Sequence, residues 1–444
     1  MRFDRRAFLA GLSGLATLPV PTFGATAWKA GVATVDITPK SSLWMAGFAA
    51  RTEPSKGTAQ PLHAKALAFE GPRRQRFVVV TLDLLGVTTG MSQRIGAAVA
   101  RQHGIPRERL VLASSHTHSG PVVDTQLLVA YDVTPAQVRD IEAYTAGLEA
   151  QIVDVVGAAV KALAPATFHA GHTTATFGAN RRVQYTPDGP SDPQVPLLRV
   201  AIDGQPRAVL FSYACHNTTL PATQVEWHGD YAGVAQARIE SARPGLTALF
   251  MTGCGADINP KPRGTREIVD QHGAALAQSV VDALSTLKPV SGPTRAAMTA
   301  VELPFEAALT PEQWKTRFGL ADPYVERHAR MMADVRAKEG TLPTSQAIPL
   351  QVWRFGRDLT LVTLGGEVVV DYALRLRRDY PKDEVWPVGY ANDVFGYVPS
   401  ARVLKEGGYE GGGSLLYYGR PGPFDTTVEE RIFKALDRLI RSTR

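Results

Sequence analysis

The chain has 444 residues, 44% hydrophobic and 20% charged, a composition that supports a large buried core and carries no low-complexity tract or fixed-period repeat. Its 48 basic against 42 acidic side chains leave a formal charge of +6. No cluster of Lys and Arg is interleaved with aromatics, which argues against a nucleic-acid partner.

The N-terminus reads as a targeting segment. Asp4-Arg5-Arg6-Ala7-Phe8-Leu9 precedes an apolar, small-residue run from Ala10 to Leu18, then Pro19, Pro21 and a small-residue exit at Gly24-Ala25-Thr26-Ala27. A charged start, a short apolar stretch and a small-residue end predict a cleaved secretory signal over residues 1–27. The paired arginines followed by Phe-Leu resemble a twin-arginine signal, so the expected location is periplasmic or secreted. The run is shorter than the ~20 residues that span a bilayer, and no later apolar run is long enough, so no stable membrane insertion is expected.

Residues 28–444 read as one catalytic domain of α/β class, with mixed β-sheets covered by helices. Apolar, β-branched runs predict strands over Phe77–Leu82, Arg109–Ala113, Leu197–Ile202, Ala208–Tyr213, Leu246–Met251 and Leu359–Leu364. Helical periodicity predicts helices over Ser92–His103, Pro135–Leu163, Tyr231–Glu240, Thr265–Leu287, Pro323–Lys338, Val368–Asp379 and Thr427–Arg441. Pro-Gly-rich stretches near 186–194 and 408–423 read as loops.

Four of these strands run straight into unusual polar sequences. They are Ser114-Ser115-His116-Thr117-His118-Ser119-Gly120-Pro121, Ala214-Cys215-His216-Asn217, Thr252-Gly253-Cys254-Gly255-Ala256-Asp257-Ile258-Asn259-Pro260, and Gly365-Gly366-Glu367. Open α/β sheets bind ligands beyond the carboxyl ends of their strands, so the four motifs predict one site. In an extended segment, His116 and His118 share a face and look into one cavity. A catalytic zinc needs about three protein ligands and an open position, which His116, His216 and Glu367 can supply. The bland reading of Glu367 is a first-turn helix acid favoured by the helix dipole. Asp230 and Asp257 are either acceptors supporting the ligand histidines or ordinary turn residues. Cys215 and Cys254, the only cysteines, either pair in an oxidising compartment or stay as two buried thiols.

The ordered set of motifs resembles the neutral, non-lysosomal ceramidases. Thr34-Val35-Asp36-Ile37-Thr38-Pro39 is similar to that family's opening strand, Asn180-Arg181 to its Asn-Arg pair, and Tyr397-Val398-Pro399 with Tyr409-Glu410-Gly411-Gly412 to its Tyr-Val and Tyr-Glu-Gly segments. The resemblance implies His116, His216, Glu367 and Tyr397 as zinc ligands. It implies His118 as a proton-moving histidine beside the metal, and Arg181 and Tyr409 as groups that hold the scissile amide. The expected activity is zinc-dependent cleavage of an N-acyl bond, in ceramide or a related lipid, by attack of metal-activated water. The expected partner is a small-molecule or lipid N-acyl substrate. Alternatives are an esterase or phosphoric-ester hydrolase on the same scaffold, or a non-catalytic binding protein. Two departures stand out. Asn259 occupies the position where the family carries a serine, and the chain stops before the C-terminal β-sandwich domain of the two-domain ceramidases. Both predict weaker preference for ceramide itself.

Overall fold

A computed structural model of the protein describes residues 28–124 and 127–444. The expected signal over residues 1–27 lies outside them.

The largest sheet has nine strands. Its order is Thr247–Thr252, Gln205–Tyr213, Gln194–Ile202, Ala164–Thr174, Trp28–Asp36, His63–Glu70, Arg76–Leu82 and Leu110–Ser114, with Lys288–Val290 paired to Ala164–Thr174 off that path. The outermost pair at each edge is parallel and the interior pairs are antiparallel. A second sheet orders Thr294–Pro304, Ser345–Phe355, Leu359–Leu364 and Val385–Val388.

Strict alternation of side chains across a strand explains how these sheets stack. In Arg76–Leu82, Val78, Val80 and Leu82 face the helices Thr89–His103 and Pro135–Lys161, while Phe77 and Val79 face the second sheet. At the other edge Val209, Phe211 and Tyr213 pack under the helices Asp230–Ala242 and Arg266–Ala283, and Ala208 and Leu210 join the inter-sheet core. The second sheet repeats the pattern. Trp353, Leu361 and Trp386 point into the inter-sheet core, whereas Val352, Val362 and Leu364 pack beneath Asp371–Asp379 and Val428–Ser442. The result is four layers, helix–sheet–sheet–helix.

The large sheet curls until its two edges meet, and Thr252 Oγ1 donates to the carbonyl of Ser114 at 3.0 Å. The segment after Val385–Val388 is stitched between those edges. Gly389 N donates to Thr252 O at 3.1 Å, Ser114 N donates to Tyr390 O at 3.3 Å, and Asn392 N donates to Leu112 O at 2.7 Å. Three strand ends of the large sheet and one of the second sheet thereby converge. Among the described residues no helix is long and apolar enough to cross a membrane.

Candidate metal centre

His116 follows the strand Leu110–Ser114 and sits in the left-handed region at φ 57, a conformation that costs energy outside glycine. The turn aims its imidazole inward, where it is 1% exposed, and Nδ1 lies 2.7 Å from the carbonyl of Leu85. His216 follows Gln205–Tyr213, is fully buried, and holds Nδ1 2.8 Å from the carbonyl of Gly255. Gly255 is required there, because a Cβ would lie 2.5 Å from the backbone nitrogen of Cys215. A carbonyl only accepts, so each Nδ1 carries a proton and each Nε2 is turned to the interior.

Both Nε2 atoms meet the same acid. His116 Nε2 and His216 Nε2 each lie 3.1 Å from Glu367 Oε2. Glu367 does not open a helix. With Val368 it forms a two-residue strand parallel to Tyr397–Val398, and the helix begins only at Asp371. This register sets Glu367 beside Tyr397, whose hydroxyl is 3.2 Å from His216 Nε2. His118 Nε2 completes the group, 3.2 Å from His116 Nε2. Among the described residues, ring nitrogens of His116, His118 and His216 all lie within 4.8 Å of one another.

The electrostatics of this set are compatible with a bound cation. Burial, reinforced by the Arg181 guanidinium, pushes His216 down to about 4. Burial also holds His118 well below its ordinary value, with His116 and His216 adding to the effect. Burial would raise Glu367, but its two histidine neighbours outweigh it and keep the carboxyl well below the usual range. The imidazole nitrogens and the Glu367 carboxylate thus share protons at one buried point, and a bound cation would take the place of those protons on the same donor atoms. Zinc–ligand bonds of about 2.0–2.1 Å put neighbouring donors of a tetrahedron about 3.3 Å apart. The observed separations of 3.1 and 3.2 Å fit that spacing.

Arg181 is clamped beside the cluster. It donates to Glu410 Oε1 at 2.6 Å, to Asn259 Oδ1 at 3.3 Å and to the Tyr397 hydroxyl at 3.0 Å. Its guanidinium covers the rings of Tyr397 and Tyr409. Tyr409 is 45% exposed and stands edge-on to Tyr397, 5.2 Å between ring centres. A cavity of about 260 Å³ opens on this cluster; His116, His118, Glu367, Tyr397 and Tyr409 form its polar side, and Phe48, Leu85, Leu127 and Ala130 are on the apolar side.

All seven site residues named from the sequence are thus gathered around one cavity or braced against it. The two aspartates act otherwise. Asp257 supports no histidine and forms no simple turn. Its Oδ1 accepts from Val370 N at 2.9 Å and its Oδ2 from Asn180 Nδ2 at 3.1 Å, tying the Glu367 and Arg181 segments together. Asp230 accepts from Leu220 N and Tyr231 N at the start of its own helix. The histidines are held by carbonyls instead. Cys215 and Cys254 are both free and buried. Sequence reasoning missed Tyr418, whose hydroxyl donates to Glu367 Oε1 from a stretch readable only as loop. It also gave no role to Glu410, though the Tyr-Glu-Gly pattern marked it, or to Arg51, which donates to the carbonyl of His118 at 2.7 Å.

The fold is shared with solved structures. The neutral ceramidase from Pseudomonas aeruginosa superposes with a TM-score of 0.69 at 20% identity, covering 89% of this chain and 73% of that one. A structure described as ceramidase complexed with C2 superposes with a TM-score of 0.70 at 18% identity, covering 93% and 76%. A comparison with curated proteins finds no match. The profile of the neutral/alkaline non-lysosomal ceramidase N-terminal region matches residues 28–295, more than half of the chain, and the protein belongs to that family.

Proposed function

We propose that the protein is a zinc-dependent amidohydrolase that cleaves the N-acyl bond of ceramide or a related lipid, and that it is exported to the periplasm or the medium. One observation supports this above all: two buried histidines, each held by a carbonyl at Nδ1, turn Nε2 onto one buried carboxylate. His116, His216, Glu367 and Tyr397 would hold the metal. Zinc bound there supplies a Lewis acid for the amide carbonyl and lowers the pKa of water to about 7.

The chain's own groups divide the remaining work. His118, neutral at rest, takes a proton from the attacking water and returns it to the leaving nitrogen. Arg181 and Tyr409 offer donors to the carbonyl oxygen as it gains charge. Glu410 and Asn259 fix the Arg181 fork, so little reorganisation is needed. Asn259 carries no ionisable nucleophilic oxygen, and activated water serves as the attacking group in place of a side chain such as Ser115, Ser119 or Cys254. The apolar side of the cavity takes the acyl portion.

The test uses protein recovered from the periplasm, with its N-terminus sequenced, against matched N-acyl amide, ester and phosphate-ester substrates. The expected result is a start near residues 26–28 and amide turnover that outpaces the other two and stops in chelator. Faster ester or phosphate-ester turnover, or full amide turnover in chelator, would overturn the reading.

A further inference from the structure

Arg295, Arg354, Arg357, Lys382 and Arg444 line a cavity of about 530 Å³ at the pole away from the metal centre. It lies where the turn from Ser345–Phe355 enters the strand Leu359–Leu364, and Glu367 follows the other end of that strand. Val385–Val388 runs parallel to the same strand, so Lys382 and Asp383 arrive at the same end. Six extended residues put roughly 20 Å between the cavity and the metal centre.

The charges here do not cancel. Among the described residues Asp383 is the one acidic side chain of the lining, and it is engaged twice. Arg354 donates to its Oδ1 at 2.7 Å and Arg444 to its Oδ2 at 2.9 Å. Arg295 donates to the main-chain oxygen of Arg444. With that oxygen counted as a full carboxylate, five cations still face two anions. The next acids along the chain, Asp358 and Glu384, line a different cavity. There Asp358 accepts from Ser291 N at 2.7 Å and Ser291 Oγ at 2.9 Å, and Glu384 meets His172 at 3.3 Å. Arg357 and Lys382 are exposed and have no ion-pair or hydrogen-bond partner among the described residues.

Like charges gathered at one opening repel, and a bound anion relieves that repulsion. The donors define the anion. Guanidinium forks match the oxygens of a phosphate two at a time, and a lysine ammonium adds a compact point charge. An excess of three positive charges suits a multivalent anion better than a single carboxylate.

We propose that this cavity binds a soluble, multivalent phosphate, either a free diphosphate or a phosphate ester, with Arg357 and Lys382 as its unpaired donors. A phospholipid headgroup offers the same chemistry. Docking on a lipid surface through this pole would turn the metal centre away from that surface, which favours the soluble source. The site rests on no reading of the reaction.

The probe is inorganic diphosphate, titrated calorimetrically into zinc-loaded protein and into metal-free protein dialysed clear of chelator. One saturable event common to both forms is expected. Arg357→Ala combined with Lys382→Ala should weaken it about tenfold or more. Both side chains are exposed and unpaired, so the fold is not at stake. Arg336→Ala combined with Lys338→Ala, on the helix Pro323–Glu339, removes the same charge elsewhere and should leave the affinity unchanged. No saturable event, binding confined to the zinc-loaded form, or equal losses in the two double variants overturns the proposal; the last marks general charge attraction. Vesicles of phosphatidic acid in phosphatidylcholine separate the two sources. Diphosphate binding without sedimentation on the vesicles supports the soluble ligand. Sedimentation that diphosphate displaces and the Arg357/Lys382 variant loses overturns the soluble source in favour of a headgroup.

Discussion

His118 sets the division of labour among the three histidines. Its ring is boxed in: Phe48 lies 4.7 Å away between ring centres, and a Cβ on Gly47 would come within 2.4 Å of its Nδ1. Arg51 fixes its carbonyl. Nδ1 is buried without a partner among the described residues, so no second contact fixes the tautomer as Leu85 and Gly255 do for the other two. A ring held in place but free to change its proton suits transfer better than ligation. His118→Ala should therefore keep its zinc and lose about two to four orders of magnitude in kcat. Elemental analysis beside the kinetics checks this; loss of the metal would make His118 a ligand instead. The His-Thr-His spacing was legible, although its physical basis differs from a plain strand. His116 is left-handed, and the two Nε2 atoms converge through that turn. Tyr418 was not legible, because a lone tyrosine in a Pro-Gly-rich loop carries no signal of the acid it will meet.

Among the elements, the stitch between the sheet edges matters most. Asn392 N donates to Leu112 O, Leu112 N donates to Asn392 Oδ1 at 3.0 Å, and Asn392 Nδ2 donates to Gln351 Oε1 at 2.9 Å. Asparagine also tolerates the left-handed conformation found here, φ 68. Asn392→Ala would leave a buried N–H unsatisfied and strain the turn, a loss of about 2–4 kcal/mol. Denaturant unfolding measures it, and an unchanged midpoint would show that the stitch bears no strain. The β-branched strands that lead into the motifs were readable, since apolar runs mark full burial. His63–Glu70 was not, because Ala64, Ala66 and Ala68 form one of its faces and alanine signals burial weakly. The helix after Glu367 was placed from Val368. Pairing of Glu367–Val368 with Tyr397–Val398 delays it to Asp371.

At the scale of the whole molecule, four layers bring together residues more than two hundred positions apart. The α/β class, the mixed sheets and the gathering of strand ends followed from strand–helix alternation and the polar motifs. The stacking of one sheet on another did not, because a strand buried on both faces reveals its burial and not what covers it. The central claim is that this scaffold gathers two carbonyl-held imidazoles and a buried carboxylate as the donors of one cation. Thermal unfolding of the unaltered protein and of Glu367→Gln, each metal-free and zinc-loaded, tests it directly. Zinc should raise the unfolding temperature of the unaltered protein strongly and that of the variant little. Equal zinc stabilisation of both proteins, or of neither, would contradict the account.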